Sequence, residues 1–247
     1  MPRFFVPPSE FQKDTPALDA AESHHAIHVL RLAPGDKITL FDGEGHEAIA
    51  KLESVEGSCV LARVISRSTS RPLSCEITLA QAIPKGKNME LIVQKAVELG
   101  AARIVPLLSD RTVVHLKGED LERKRAKWAG VALEACKQCG QNRLPAVETP
   151  TTVKAFLERA RRFELPLIAS LQPGAVHIKA ALAAFANEHG RPPASVAILI
   201  GPEGDFTPAE TAAALSAGFR GVTLGPIILR TETAAIYSLS VLGHELF

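Results

Sequence analysis

The sequence predicts an α/β protein in which a small β-rich segment precedes a parallel sheet covered by helices. Three observations carry this. Residues 37–65 alternate apolar and polar side chains in short runs separated by turn residues, as half-buried strands do. From residue 76 onward, apolar runs alternate with stretches of helical period, the rhythm that a parallel sheet requires. The apolar runs 165–169, 196–200 and 222–224 are short and bounded by Gly or Pro, as suits strands buried on both faces.

Taken in order, residues 21–30 read as a helix and Pro34-Gly35-Asp36 as a turn. Residues 37–41 alternate, Asp42-Gly43-Glu44-Gly45 turns the chain, and 47–52 and 60–65 alternate again, which predicts a small barrel or sandwich. Residues 66–72 are polar and poor in apolar side chains, so the domain boundary is placed there, dividing the chain into 1–72 and 73–247. Residues 76–82 form a strand. Residues 88–99 carry apolar side chains at 89, 92, 93, 96 and 97 and form a helix stopped by Gly100. A strand at 103–108, a long helix over 119–139, helices near 152–162 and 176–188, and a terminal helix to Phe247 complete the expectation. Ligands on such sheets sit beyond the carboxyl ends of the strands.

With 247 residues and 46 % apolar content, the chain can bury a large core and a smaller one without metals or crosslinks. Met1 to Pro8 holds two adjacent prolines and a short apolar run, not a secretory signal, and no run approaches eighteen apolar residues. A soluble cytoplasmic protein, with no membrane partner, is expected. Cys59, Cys75, Cys136 and Cys139 are too scattered for a disulfide framework, and the Cys136-x-x-Cys139 pair lacks the further ligands of a zinc site. His24 and His28, four apart, have metal-ligand spacing, but no metal is expected. Net charge is only +1, yet residues 75–165 carry 16 basic against 11 acidic side chains, a local surplus of five that suits a patch meeting a polyanion. The alternative for Arg123-Lys124-Arg125-Ala126-Lys127 is a solvated helix face.

Two strand ends stand out for chemistry. The first runs Ile198-Leu199-Ile200-Gly201-Pro202-Glu203-Gly204-Asp205-Phe206-Thr207-Pro208-Ala209-Glu210, a buried strand entering a glycine-proline loop and then a helix capped by Thr207 with Glu210 three residues on. It lacks the Lys and Ser/Thr of a P-loop and the spacing of a dinucleotide fingerprint. The second runs Leu224-Gly225-Pro226-Ile227-Ile228-Leu229-Arg230-Thr231-Glu232-Thr233-Ala234-Ala235, with Thr231 or Thr233 as the expected cap of the last helix. Taken alone, Arg230 and Glu232 read as an ion pair holding that helix.

Together these strings resemble the signature of the SPOUT class of knotted methyltransferases. More narrowly, the whole chain is similar to the RsmE-type family, which methylates N3 of a uridine in 16S ribosomal RNA of the bacterial small subunit. The resemblance also rests on Arg3-Phe4, His28-Val29-Leu30-Arg31, Gly35-Asp36 and Leu40-Phe41-Asp42-Gly43. It continues through Lys85-Gly86-Lys87, Gln94 to Gly100, Pro106, Ser109-Asp110-Arg111, Glu134-Ala135, Gln138 and Arg143. Asp205 replaces the last glycine of the usual GPEGG loop, and Pro226-Ile227 stands where a more polar pair is common. The first change matters if position 205 needs a positive φ, which Asp tolerates better than most residues.

The resemblance implies a knotted C-terminal SPOUT domain, an N-terminal PUA-like β-barrel that docks RNA, S-adenosylmethionine as cofactor, and a homodimer packed through the final helix. It implies that Ser170 and Leu171, then Ile200, Gly201, Pro202 and Gly204, then Leu224, Gly225, Ile228 and Leu229, with Thr233 and Ala234, wrap the cofactor. Backbone groups would bind adenine while Leu224, Ile228 and Leu229 cover its faces. Uracil N3 attacks only as an anion, so Arg230 is expected to stabilise charge on a carbonyl oxygen, and a carboxylate, Glu232 or Glu203, to take the proton. Glu203 has a second reading, as a brace that accepts backbone N–H bonds. RNA contacts are expected from Arg3 and Arg31 in the first domain and from Lys85, Lys87, Arg111 and Arg143 in the second. Two other functions compete: methylation of a different base or a ribose 2′-oxygen, and a non-catalytic RNA-binding role in ribosome assembly.

Overall fold

A computed structural model describes every residue except Ser58 and His115, together with the side chain of Glu56. The chain forms two compact units, Met1–Pro72 with Leu133–Leu144, and Leu73–Ala132 with Pro145–Phe247. Residues 133–144 thus belong with the first unit, outside the division at 72 drawn from sequence.

In the first unit, β1 (Arg3–Phe5) is followed by the short helices α1 (Pro8–Phe11) and α2 (Ala20–His24). Asp19 caps α2 by accepting the Glu22 N–H, and a π-helical turn over His25–Val29 prolongs it, so the helix expected over 21–30 changes its winding midway. Three strands follow, β2 (Lys37–Phe41), β3 (His46–Glu56) and β4 (Cys59–Thr69). The sheet order is β1-β2-β3-β4, with β1 parallel to β2 and the other pairs antiparallel. The outer edge of β4 is covered by the segment before α2, where the Leu18 N–H donates to Val60 O at 2.9 Å and the Ala62 N–H to Pro16 O at 3.0 Å. An edge so covered does not invite strand addition. Phe4, Ile38, Leu40, Ala50, Leu52, Val60 and Ala62 fill the core. The polar stretch expected to be a linker is in part strand, since β4 runs to Thr69, and it is polar because its end is exposed.

The second unit opens with β5 (Glu76–Ala82), α3 (Asn88–Glu98), β6 (Arg103–Leu108) and α4 (Glu119–Cys139), whose last turns lie in the first unit. It continues with β7 (Ala146–Val147), β8 (Thr151–Thr152), α5 (Val153–Leu157), a 3-10 turn over Ala160–Arg162, β9 (Leu165–Ala169), β10 (Val176–His177) and α6 (Ile178–His189). Last come β11 (Ser195–Ile200), α7 (Pro208–Ser216), β12 (Arg220–Thr223) and α8 (Thr231–Leu246). Every strand pairing is parallel, in the order β10-β12-β9-β11-β5-β6-β7 with β8 also on β6. Strand β11 lies between β9 and β5 and is buried from Val196 to Ile200, which is why it reads as an unbroken apolar run. Helix α3 buries Met89, Ile92, Val93, Ala96 and Val97, the set its periodicity selects. Among the described residues no helix is long and apolar enough to cross a membrane.

Candidate active site

Beyond the carboxyl ends of β9, β11 and β12, three turns enclose a cleft of about 300 Å³. Ala169, Ser170 and Leu171 come from the first turn, and Ile200, Gly201, Pro202, Glu203 and Asp205 from the second. The third gives Leu224, Gly225, Ile227, Ile228, Leu229 and Arg230, and the first turns of α8 add Thr231 and Ala234. Apolar side chains and main-chain peptide groups dominate this wall, with few charges. That is the donor set for a flat heteroaromatic ring with polar edges, and the volume lies at the small end of ligand sites. The two glycine-bearing strand ends, separated in sequence, therefore meet.

Gly225 has φ +118°, a backbone angle closed to most side chains, and nothing stands within 4 Å of where its Cβ would project. Asp205 sits at φ +59°, so the position does demand the left-handed region; its Oδ1 accepts the Phe206 N–H at 2.7 Å and steadies the turn. Thr207 and Glu210 close a reciprocal capping box at the start of α7.

Three expected cofactor or catalytic residues do not border the cleft. Glu232 and Thr233 point elsewhere because α8 turns about 100° per residue, so that Thr231 and Ala234, three apart, share the face toward it. Gly204 is on the loop but outside the wall; its carbonyl accepts from Arg111 Nη1 at 2.5 Å. Neither Thr231 nor Thr233 caps α8. Its N-cap is Arg230, without a side-chain cap bond, and the Thr231 hydroxyl instead donates to Gly201 O at 2.6 Å. Glu203 is exposed on the rim, and its Oε1 accepts the Lys85 N–H at 2.9 Å. Sequence reasoning missed Ala169, Asp205, Ile227 and Thr231 as lining residues; strand ends give no side-chain signal for which neighbours turn inward.

The expected RNA-contacting cations fall into three groups. Lys85, Lys87 and Arg111 are exposed on the loops after β5 and β6, where Lys85 and Arg111 bond the turn that follows β11. Arg31 and Arg143 are exposed in the first unit. A Cβ on Gly45 would stand 2.7 Å from the Arg143 Cζ, so glycine there makes room for that guanidinium. Arg3 differs from these: its guanidinium lies 5.1 Å from the Phe41 ring centroid and donates to Glu47 Oε2 at 3.1 Å and to Asn142 Oδ1, internal bonds with which a phosphate would have to compete. The basic run on α4 is also largely spent internally, Arg123 on Asp120, Arg125 on Glu122 and Lys127 on Glu90.

Other groups singled out by sequence have local explanations. All four cysteines are free; burial pushes the Cys136 thiol up to about 12 and that of Cys75 to about 11, which leaves both unreactive. The His24 and His28 rings face each other with centroids 4.8 Å apart. Asp42, Glu44 and His46 cluster in the turn between β2 and β3, where Asp42 Oδ1 accepts the N–H groups of Glu44 and His46 and its Oδ2 contacts His46 Nδ1 at 2.5 Å. These bonds close the turn.

Comparison with known proteins converges on one group. Residues 71–243 match the family described as RNA methyltransferase domain, and residues 18–65 match the RNA methyltransferase PUA domain. Ribosomal RNA small subunit methyltransferase E of Bacillus subtilis is 33 % identical over 99 % of this chain and 97 % of its own. A methyltransferase structure from Legionella pneumophila with bound S-adenosylmethionine shares 36 % identity and a TM-score of 0.88, covering 98 % of this chain and 97 % of that one. Ribosomal RNA small subunit methyltransferase E of Neisseria gonorrhoeae, bound to S-adenosylmethionine, shares 32 % identity and a TM-score of 0.86 over 99 % and 98 % of the two chains. With a parallel-sheet domain, a PUA domain and relatives matched from end to end, the chain belongs to the ribosomal RNA small subunit methyltransferase E family.

Proposed function

We propose that this protein transfers the methyl group of S-adenosylmethionine to N3 of a uridine in 16S ribosomal RNA. The observation that carries the reading is the cleft itself: three strand-end turns form an apolar, peptide-lined slot, and the guanidinium of Arg230, without an ion pair among the described residues, stands on its rim. Leu224, Ile228 and Leu229 cover the adenine faces, and the main chain of residues 200–203, 224–225 and 227–229 supplies its polar partners. The cofactor, once bound, supplies an electrophilic methyl on a sulfonium.

On the RNA side, N3 attacks after losing its proton, and its charge spreads to O2 and O4. Arg230 holds one of these oxygens and stabilises that charge. Alignment of N3 with the methyl group provides most of the remaining acceleration, and the proton leaves to water at the open rim. Glu203 fixes the turn through Lys85 N–H and does not take the proton; Glu232 lies off the cleft. Lys85, Lys87 and Arg111 bind phosphates beside the slot, with Arg31 and Arg143 binding RNA from the first unit; such contacts position the strand and do not read bases. The chain has only 12 aromatic residues, so folded RNA shape carries the selectivity. A homodimer is part of this reading, because Ile227 and Ile228 are 74 % and 76 % exposed and Tyr237 of α8 is also exposed. Ribosomal RNA as substrate supports a cytoplasmic location.

The decisive experiment incubates small subunits from cells lacking this protein with labelled cofactor and digests the RNA to nucleosides. A 3-methyluridine product is expected. A methylated ribose, another methylated base or no label refutes the assignment.

A further inference from the structure

Behind the cleft, three elements meet on one hydroxyl. Thr231, the first residue of α8, borders the cleft, and its Oγ1 donates to Gly201 O at 2.6 Å. The same oxygen accepts from Gln81 Nε2 at 2.9 Å. Gln81 is fully buried near the carboxyl end of β5, opposite Ile200 of β11, and its other amide hydrogen goes to Ala82 O at 2.8 Å. Its Oε1 has no hydrogen-bond partner among the described residues. An unpaired amide oxygen inside an apolar sheet is unfavourable, and leucine or methionine would be the more stable choice for packing alone. What glutamine adds there is its N–H.

That N–H fixes a direction. A threonine hydroxyl has one proton and two lone pairs. With Gln81 donating to a lone pair, the Thr231 proton is left for Gly201 O. The bond joins the turn after β11 to the start of α8, one residue beyond Arg230, whose side chain makes no cap bond and whose carbonyl accepts only the helical Ala234 N–H among the described residues. Two turns distant in sequence are thereby clamped from a third, rigid element.

We propose that Gln81 and Thr231 are positioning residues. The chain Gln81–Thr231–Gly201 sets the spacing of the two glycine-bearing turns and the placement of Arg230, and through them both cofactor affinity and methyl transfer. This inference rests on the reading of the cleft as a cofactor site.

The test combines calorimetry with S-adenosylmethionine, thermal melting without it, and turnover at saturating cofactor. Thr231→Val, which keeps shape and deletes the hydroxyl, should weaken cofactor binding about tenfold and lower kcat, whereas Thr231→Ser should recover affinity to within about twofold of the parent. Gln81→Met, which removes the donor together with the unpaired oxygen, should melt near the parent and still bind the cofactor several-fold more weakly; it decides the matter should Thr231→Val not fold. Unchanged affinity in a folded Thr231→Val or Gln81→Met protein, whatever its melting temperature, would show the bonds to be structural only and overturn the proposal. Absence of any heat with the parent protein would refute the cofactor reading itself.

Discussion

Arg230 and Glu203 both stand on the rim of the cleft, but they meet different surroundings, and substitution separates them. Arg230 makes no ion pair among the described residues, so its guanidinium is free for a uracil oxygen. Arg230→Ala should leave cofactor binding measured by calorimetry largely intact and reduce methyl transfer by about 10²-fold or more; parallel loss of both would refute its catalytic role. Glu203 accepts the Lys85 N–H, a bond that a glutamine carbonyl can also accept. Glu203→Gln should therefore keep turnover within a few-fold, about what a retained neutral bond allows, while Glu203→Ala should lower cofactor affinity. A collapse of turnover in Glu203→Gln would identify it as the base. A third residue contributes to acid stability. Burial alone would raise the carboxyl of Glu148, but bonds from Arg159 and Arg103 outweigh it and hold the group below the ordinary value of 4.5. A carboxyl lowered in the folded state contributes stability above the unfolded value and loses it as the pH falls through the folded one. Stability should thus decline on acidification below about pH 4.5, and Glu148→Gln should make that limb of a melting-temperature profile shallower, with the other lowered carboxyls, such as Glu164, keeping the rest.

The elements explain why the cleft keeps its shape. The turn before α7 needs a left-handed residue at 205, and Asp205 supplies it while bonding Phe206 N–H. Asp205→Gly exchanges a side-chain bond for relief of backbone strain and should change stability by about 1 kcal/mol or less, whereas Asp205→Val, β-branched and without an acceptor, should cost about 2 kcal/mol in denaturant unfolding. A larger loss for glycine than for valine would contradict this account. Most elements were legible in the sequence because their cause is local. The α3 stripe, the β11 apolar run and the Thr207 capping box depend on spacing within a dozen residues. The expected cap of α8 was not, because the Thr231 hydroxyl has a better acceptor in Gly201, thirty residues away in sequence. Expectation also placed Glu232 and Thr233 at the site, where helix phase turns them away.

For the whole molecule, the segment 133–144 is the notable feature. Within the first unit Asn142 is buried and donates to Glu47 at 3.0 Å and Ser70 at 2.7 Å, while Lys137 pairs with Glu22, at 11 % and 6 % side-chain exposure. Removing one member of a buried ion pair leaves the other uncompensated and costs about 3–5 kcal/mol. A fragment of residues 1–72 is therefore expected to be unfolded, or far less stable than one in which 133–144 is supplied, by circular dichroism and amide dispersion. A cooperatively folded 1–72 fragment would disprove that dependence. Neither the polar stretch 66–72 nor the charge count reveals such an insertion, because the contacts join residues about a hundred positions apart. By itself the sequence determined the order and kind of the longer elements, the two glycine-bearing turns and the family they announce, since each follows from spacing and side-chain chemistry along a short length of chain, whereas the short β1, α1, β7, β8 and β10 left no such pattern. Only the tertiary structure decided which of the charged residues are free, which spend their charge on internal partners such as Glu47 and Glu90, and which hydroxyl clamps the cleft, since a pairing exists only once the sheet has brought its members within bonding distance.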